Sequence, residues 1–284
     1  MNEPIRVAFS PDSDDIFMFW AMLHGRVDTD GFAFVHERHD TEALNALAAR
    51  GAIDVLALSI ARYATVADKY LLLPHGASVG RGYGPVLVAP QAASLASFAG
   101  ARIGVPGLHT TAYTVLRLLL PDFEPVVVPI APYTKAFEAV RSGEVRAALL
   151  IHEGRLTYER EGFALVTDIG VEWEKLTGLP LPLGGNAIRR GLGAERIGRI
   201  SDVCRKSIAW GLAHRDELMS ALLAEESREG VHLERALLDR YLTMYANEDT
   251  RAMAGDVVRA IDELFRRAHE RGILPTRVHA ELAT

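Results

Sequence analysis

Short apolar segments alternate with amphipathic segments along much of this chain. The segments IRVAFS, IDVLALS, ARIGVP, PVVVPI and RAALLIH are apolar enough to form buried strands. Between them, segments such as TEALNALAARG and TKAFEAVRSG carry apolar residues at helical spacing and end at a glycine, which commonly terminates a helix. Because strand–helix–strand order brings helices onto the faces of a sheet, the pattern predicts an α/β protein with parallel sheets.

Two of these helix–strand segments resemble each other. One begins at Thr41 and the other at Thr134, and each threonine is predicted to be an N-cap. Each segment continues through a helix and a glycine into an apolar strand that ends in a polar residue, Ser59 in one and His152 in the other. The similarity predicts two α/β lobes of related construction, followed by a helical region from residue 195 onward.

Two glycine-rich segments, GASVGRGYGPVLVAP and GGNAIRRGLG, have the composition of crossings between the lobes. The alternative for the first is only a loop and an edge strand, in which glycine supplies positive φ. With two crossings, a ligand is expected to bind between the lobes, at the carboxyl ends of the strands. The predicted division is lobe 1 at residues 1–88 and 188–284, and lobe 2 at residues 89–187.

Composition narrows the class of protein. The formal net charge of −6 and the pI near 5.9 argue against a nucleic-acid partner. No apolar run reaches the roughly 18 residues of a membrane helix, and MNEPIRVAFS lacks the pattern of a signal peptide. Cys204 is the single cysteine, which fits a reducing compartment. We therefore expect a cytoplasmic protein with no membrane partner, and the oligomeric state is left open.

Several polar residues directly follow predicted strands, namely Ser10, Ser59, Thr110 and His152. His152 is the most informative, because it follows a strand that is buried on both faces. It is either a packed core histidine or a functional group at the cleft. Its ordinary pKa near neutrality suits it for acid–base chemistry. Glu153 is expected to point away from it, because adjacent strand residues face opposite sides.

Five motifs in order resemble the 1,4-dihydroxy-6-naphthoate synthase family of the futalosine route to menaquinone, which is related to chorismate dehydratase. They are RVAFSPDSDDIFMF, GRGYGPVLVA, VPGLHTTAYTVL, LLIHEGRLTY and GLPLPLGGNAIRR. The resemblance implies a two-lobe periplasmic-binding-protein-like (type II) fold. It also implies a lyase that converts cyclic dehypoxanthine futalosine to 1,4-dihydroxy-6-naphthoate with no metal or organic cofactor. The substrate would be a small carboxylated ring.

The resemblance also implies roles for individual residues. It puts the catalytic base on His152 and the grip on the substrate carboxylate on Thr110 and Thr111. Helix-start N–H groups beside these threonines would favour the same anion. Further substrate contacts are expected from Ser10, Ser59, Asp15, Asn186 and Arg155, although Arg155 has the alternative of pairing with a surface acid.

The first loop departs from the family pattern. It reads Ser-Pro-Asp-Ser-Asp-Asp-Ile, where the family typically has Ser-Pro-Cys-Pro-Asn-Asp-Thr. Asp15 keeps its place, whereas Asp12, Asp14 and Ile16 are new. Either the new carboxylates face the cleft and repel an anionic substrate, or they cap the following helix. We expect Asp12 to be a cap and Asp15 to be needed for activity.

Two other functions remain open from the sequence. One is a chorismate-dehydratase-like or otherwise diverged lyase that acts on another carboxylated ring. The other is a non-enzymatic solute-binding protein for a small anion, against which the missing signal-peptide pattern counts. The sequence contains no cluster typical of a metal site, and GRGYG lacks the strand–GxGxxG–helix context of a dinucleotide site.

Overall fold

The computed structural model describes residues 3–130, 132, 134–226 and 234–284. The strands are β1 (Ile5–Phe9), β2 (Phe34–Arg38), β3 (Val55–Ser59), β4 (Tyr70–Leu72), β5 (Ser78–Gly80), β6 (Val86–Ala89), β7 (Arg102–Val105), β8 (Glu124–Val127), β9 (Ala147–Leu150), β10 (Ala164–Asp168) and β11 (Leu181–Arg189). The helices are α1 (Ser13–Leu23), α2 (Thr41–Arg50), α3 (Ile60–Tyr63), α4 (Thr111–Leu119), α5 (Thr134–Arg141), α6 (Gly154–Thr157), α7 (Ile169–Thr177), α8 (Ala194–Ala213), α9 (Arg215–Glu225), α10 (Arg235–Tyr245), α11 (Glu248–Arg251) and α12 (Gly255–Glu270).

The strands form two sheets with helices packed around them. The first has the order β2-β1-β3-β11-β4, with β5 also beside β11, and the second has the order β10-β6-β9-β7-β8. Strand β1 is parallel to β2 and β3, and β7 is parallel to β8 and β9. Strands β6 and β11 run antiparallel to their neighbours. The prediction of purely parallel sheets is therefore wrong, since crossing strands enter a sheet without a helical crossover.

The two glycine-rich segments contain these crossing strands. Strand β6 lies between β10 and β9, so the edge-strand interpretation is wrong. Gly84 in the first segment serves close packing, because an added Cβ there would lie 2.9 Å from the backbone nitrogen of Gly170. Strand β6 belongs wholly to the second sheet and β11 to the first. The division at residues 88/89 and 187/188 stays a prediction. Because β6 begins at Val86 and β11 at Leu181, sheet membership favours crossings earlier in the chain than these two boundaries.

The C-terminal helices pack against the first sheet and against α1. Phe17 and Trp20 of α1 form a hydrophobic cluster with Leu218 of α9 and Leu242 of α10. The start of the predicted C-terminal helical region is divided at His214 into α8 and α9. This packing brings α10 to the start of α1, where the first loop ends. Within the described ranges, no helix combines the length and apolarity needed to cross a bilayer.

The start of α2 corrects one predicted cap. Asp40 is the N-cap residue, and its side chain accepts a hydrogen bond of 2.8 Å from the N–H of Ala43. Thr41 is therefore the first helical residue rather than the N-cap. Because Asp40 satisfies the helix start, the hydroxyl of Thr41 can turn toward the space between the sheets.

Candidate active site

A cavity of ≈ 100 Å³ lies between the two sheets. Both sheets and α10 contribute to its lining. Among the predicted site residues, those that line it are Asp15, Ser59, Thr110, Thr111, His152 and Asn186. The position of the cavity agrees with the expectation that a ligand binds at the carboxyl ends of strands.

His152 lies just beyond the end of β9, in a left-handed backbone conformation with φ of 51°. Such a conformation is rare for a residue other than glycine and costs about 1 kcal/mol or more. Residues held in this way concentrate at functional sites. The imidazole lines the cavity and is 20% exposed, which favours the functional interpretation over a packed core histidine.

Groups from the first sheet and its helices surround the ring of His152. Its Nε2 lies 3.1 Å from Thr41 Oγ1 and 3.3 Å from Asp12 Oδ2. Its Nδ1 lies 3.2 Å from the hydroxyl oxygen of Tyr241 on α10. His152 itself follows a strand of the second sheet. The ring therefore joins the two halves of the cleft and has a partner at each nitrogen.

Acidic side chains change the protonation of this histidine. Burial lowers the pKa of His152, but the charges of Asp12, Asp14, Glu153 and Asp15 outweigh burial and raise the pKa above its ordinary 6.5. An imidazolium is attracted by each of these carboxylates. His152 consequently keeps its second proton to higher pH than a free histidine does.

Asp15, which lines the same cavity, also has a shifted pKa. Burial, followed by repulsion from Asp14, raises the pKa of Asp15 to about 7. The N–H of Ser10 donates a hydrogen bond of 2.8 Å to Asp15 Oδ2, which acts in the opposite direction. Near neutral pH the cavity thus contains a carboxyl group that can hold or release a proton, beside a histidine that can do the same.

Asp12 occupies the N-cap position of α1, but its side chain makes no capping hydrogen bond. The expectation that Asp12 is a cap is therefore wrong. Its carboxylate lies 3.3 Å from Nε2 of His152, because an ion pair with a partly buried imidazole replaces the capping contact. The hydroxyl of Ser10 accepts a hydrogen bond of 3.2 Å from the N–H of Asp12 and holds the loop in place.

Glu153 is fully buried beside His152. It accepts a hydrogen bond of 2.9 Å from the hydroxyl of Ser13, at the first residue of α1. This contact joins the segment after β9 to the first loop. Glu153 therefore links the two halves of the cleft and adds negative charge near the imidazole.

The two threonines have different partners. The hydroxyl of Thr110 caps α4, accepting from the N–H of Tyr113 at 3.2 Å and donating to Gly107 O at 2.9 Å. The hydroxyl of Thr111 donates to Leu183 O at 2.7 Å and accepts from the N–H of Ala61 at 3.0 Å. Since both hydroxyls are engaged within the protein, the first N–H groups of α4 are better suited to hold an anion.

Ser59 and Asn186 bring polar atoms to the same cavity. Asn45 holds Ser59 by donating to its hydroxyl oxygen and by accepting from its N–H, each at 3.1 Å. The hydroxyl proton of Ser59 can then point to a ligand. Asn186 is 1% exposed, and within the described part of the chain its Oδ1 has no hydrogen-bond donor. An unpaired buried amide oxygen is costly, so a ligand donor would stabilise it.

Two predicted contacts lie outside the cavity lining. Ser10 supports Asp12 and Asp15 rather than facing the cavity. Arg155 donates to Gly84 O at 2.6 Å and to Asp168 Oδ2 at 2.8 Å. Its guanidinium is therefore committed to an internal ion pair near the crossing, and the structure does not bring it to the site.

Asp14 lines the cavity, which is one of the two positions that the sequence left open for it. Sequence reasoning missed further lining residues, which come from distant segments: Thr41, Ser78, Tyr241 and Tyr245. The tyrosines are four residues apart on α10, a spacing that places both on one helix face. Two other aromatic side chains, those of Trp173 and Tyr158, lie outside the cavity lining. Trp173 is fully buried and donates to Pro180 O, and Tyr158 packs against the core of the second sheet. Among the described residues, His, Cys, Asp and Glu form no group able to hold a metal ion.

Comparison with known proteins gives a consistent result. Residues 5–270 match the family model described as menaquinone biosynthesis. The 1,4-dihydroxy-6-naphthoate synthase of Thermus thermophilus is 38% identical over 271 residues, covering 95% of this chain and 96% of the relative. The enzyme of the same name from Streptomyces coelicolor is 36% identical over 278 residues, covering 96% and 95%.

The fold extends to more distant proteins. The alkanesulfonate-binding protein of Xanthomonas axonopodis superposes with a TM-score of 0.71 at 18% identity, covering 99% of this chain and 98% of that one. This similarity confirms the periplasmic-binding-protein-like fold that the sequence motifs implied. With a family model matched over nearly its whole length and two relatives above 30% identity, the chain belongs to the menaquinone biosynthesis family.

Proposed function

We propose that this protein is a lyase that forms 1,4-dihydroxy-6-naphthoate from cyclic dehypoxanthine futalosine, with His152 as the base. The observation that carries the proposal is the strained His152 at the cavity, surrounded by acids that change its protonation. The two curated relatives bear the name of this activity. The motifs that imply this substrate all lie within the matched region.

The geometry suits each part of the reaction. The start of α4, with Thr110 and Thr111, holds the substrate carboxylate against helix N–H groups. Nε2 of His152 removes a proton, and Asp15, with a pKa of about 7, returns one. Asn186 and Ser59 bind hydroxyl groups of the substrate. The enclosing lobes exclude water from the reacting centre.

The alternative functions have less support. A chorismate-dehydratase-like lyase would use similar groups, but the relatives carry the naphthoate synthase name over the full chain. A capture protein for small anions shares the fold. Its site would be expected to be rich in cations, whereas here Arg155 pairs with Asp168 outside the cavity, and Asp14 and Asp15 line it.

A direct assay separates the three functions. The purified protein is incubated with cyclic dehypoxanthine futalosine and, separately, with chorismate, and the products are identified by mass spectrometry. We expect naphthoate from the first substrate and no change in the second. Turnover of chorismate alone would favour the second lyase, and binding without turnover would favour the capture protein. We also expect recovery of the protein from the cytoplasmic fraction.

His152→Asn tests the assigned base. The variant is expected to fold and to bind substrate while turnover falls by roughly 10²–10⁴-fold, the usual worth of a positioned acid–base group. Thr111→Val is the matched comparison, because it removes the hydroxyl that joins Ala61 and Leu183 beside the anion site. It should raise KM more than it lowers kcat. Near-normal turnover by His152→Asn would mean that His152 is a packed core histidine and not the base.

A further inference from the structure

The hydroxyl of Tyr241 lies between Asp14 and His152. We infer that Tyr241 is a positioning residue that keeps a hydrogen on Nδ1 of His152, so that Nε2 is the basic nitrogen. The inference rests on the proposed function for its catalytic meaning, but the protonation it describes is a property of the protein without substrate. Tyr241 is absent from the motifs that carry the family resemblance.

The hydrogen-bond directions follow from the partners. Tyr241 donates to Asp14 Oδ1 at 2.9 Å, and Ser78 donates to Asp14 Oδ2 at 2.9 Å. A hydroxyl has one hydrogen, so Tyr241 has only its oxygen lone pairs left for His152. The 3.2 Å contact with Nδ1 is therefore a hydrogen bond that the imidazole donates. Neutral His152 consequently has its hydrogen on Nδ1 and its lone pair on Nε2.

The environment keeps Tyr241 in its donating form. The residue is 1% exposed. Burial, followed by the charges of Asp14 and Glu153, raises the pKa of the Tyr241 hydroxyl well above its ordinary range. The phenol therefore remains protonated at any pH where the protein works, and its hydrogen stays on the Asp14 side.

The other ring nitrogen faces groups that can stabilise the positive charge of the protonated ring. Nε2 lies near Thr41 Oγ1 and Asp12 Oδ2. When substrate loses its proton, a bond to hydrogen breaks in the substrate and a bond to Nε2 forms, while the electron pair stays on the substrate. Asp12, Asp14, Asp15 and Glu153 then stabilise the imidazolium. Because Tyr241 and His152 belong to different halves of the cleft, the base is correctly set only when both halves meet.

Tyr241→Phe tests the inference with two readouts. Histidine is labelled with ¹⁵N, and the signal of His152 is assigned by its absence from His152→Asn. Without substrate, we expect neutral His152 of the unaltered protein to carry its hydrogen on Nδ1. In Tyr241→Phe we expect hydrogen on Nε2 in a large fraction of molecules, because Thr41 and Asp12 still accept there. The kcat should fall about 10- to 100-fold, with little change in KM.

Tyr70→Phe is the matched control. The hydroxyl of Tyr70 is also buried and donates to Ile53 O at 3.0 Å, away from the cavity. Its removal should leave the His152 tautomer and kcat unchanged. Asp14→Ala gives a second test, because Tyr241 without its acceptor can donate to Nδ1 and place the hydrogen on Nε2.

Two results would overturn the inference. One is a hydrogen on Nε2 of neutral His152 in the unaltered protein. The other is an unchanged tautomer in Tyr241→Phe, provided that the variant melts cooperatively. Both are read by NMR without turnover, so they stay decisive even if the protein makes no naphthoate.

Discussion

Two clusters of acidic side chains in this protein differ in how they are paired with a positively charged group. In the first, Arg81 donates to both oxygens of Asp249 at 2.7 Å and to Asp256 at 2.8 Å. In the second, Asp12, Asp14, Asp15 and Glu153 act on the single imidazole of His152. The Arg81 cluster pairs both of its acids directly with one guanidinium, whereas in the His152 cluster four acids act on one imidazole.

The difference shows what each cluster does. The Arg81 cluster ties the loop after β5 to α11 and the start of α12, and direct pairing makes this a stabilising contact. In the His152 cluster, burial and then repulsion from Asp14 raise the pKa of Asp15 to about 7, and the charges of the four acids outweigh burial and raise the pKa of His152. Shifted pKa values of buried groups such as these are typical of functional sites.

Arg81→Ala should have the largest effect on stability. It leaves the nearly buried Asp249 without its cation and should lower the free energy of unfolding by about 2–3 kcal/mol, a value reduced because Arg81 is 43% exposed. Urea unfolding measures the loss. The pH dependence of turnover should be unchanged at temperatures where the variant is folded. A shifted pH profile would mean that the two clusters are coupled.

Asp15→Asn should have an intermediate effect of the opposite sign. With its pKa raised from 3.8 to about 7, Asp15 contributes stability that is full below pH 3.8 and is lost as pH rises through about 7. Asparagine carries no charge to bury. The variant should therefore be more stable than the unaltered protein at pH 8, with the gain shrinking as pH falls and no gain near pH 4.

Activity completes the test of Asp15. Turnover of Asp15→Asn should fall, since the amide cannot return a proton. Thermal unfolding at pH 4, 6 and 8 gives the stability trend. An equal stability difference at all three values would show that Asp15 is ionised throughout.

Asp12→Asn should have the smallest effect on stability and a specific effect on pH dependence. Removing the charge lowers the pKa of His152 toward 6.5, so the half-point of kcat/KM should move to lower pH by less than about 1 unit. His152 contributes stability that is full below pH 6.5 and is lost as pH rises through its raised pKa, so any stability loss should be confined to acidic pH.

Asp40→Asn is the control for Asp12→Asn. It makes the same chemical change at the N-cap of α2, where the side chain does cap the helix. Because asparagine also caps well, its stability and pH profile should both stay close to those of the unaltered protein. An equal pH shift in both variants would indicate a general effect of net charge rather than the contact between Asp12 and His152.

Much of the fold is local and could be predicted from the sequence. Apolar periodicity located segments such as β1, β3 and β9 and the helices α2 and α5 that precede the last two of them, because those patterns reflect which face of each element is buried. Strand direction is not local. The antiparallel entry of β6 and β11 depends on where the chain crosses between sheets, and the break at His214 depends on the packing of α9 against α1.

The candidate site divides in the same way. Its strand-end residues, His152 and Ser59, follow from the sequence, since strand ends are predictable and parallel strands present them at one edge. The partners of His152 do not. Thr41 and Tyr241 are 111 and 89 residues away in the chain, and only packing of α2 and α10 brings them to the ring.

Asp12 shows the physical reason most clearly. An aspartate before a helix favours a cap but is also compatible with an ion pair, and the sequence determines only that it stands at the helix start. The tertiary structure decided between them by placing a partly buried imidazole 3.3 Å from its carboxylate. Local preferences act between neighbours in the chain, whereas the protonation of His152 depends on charges that meet only in the folded protein.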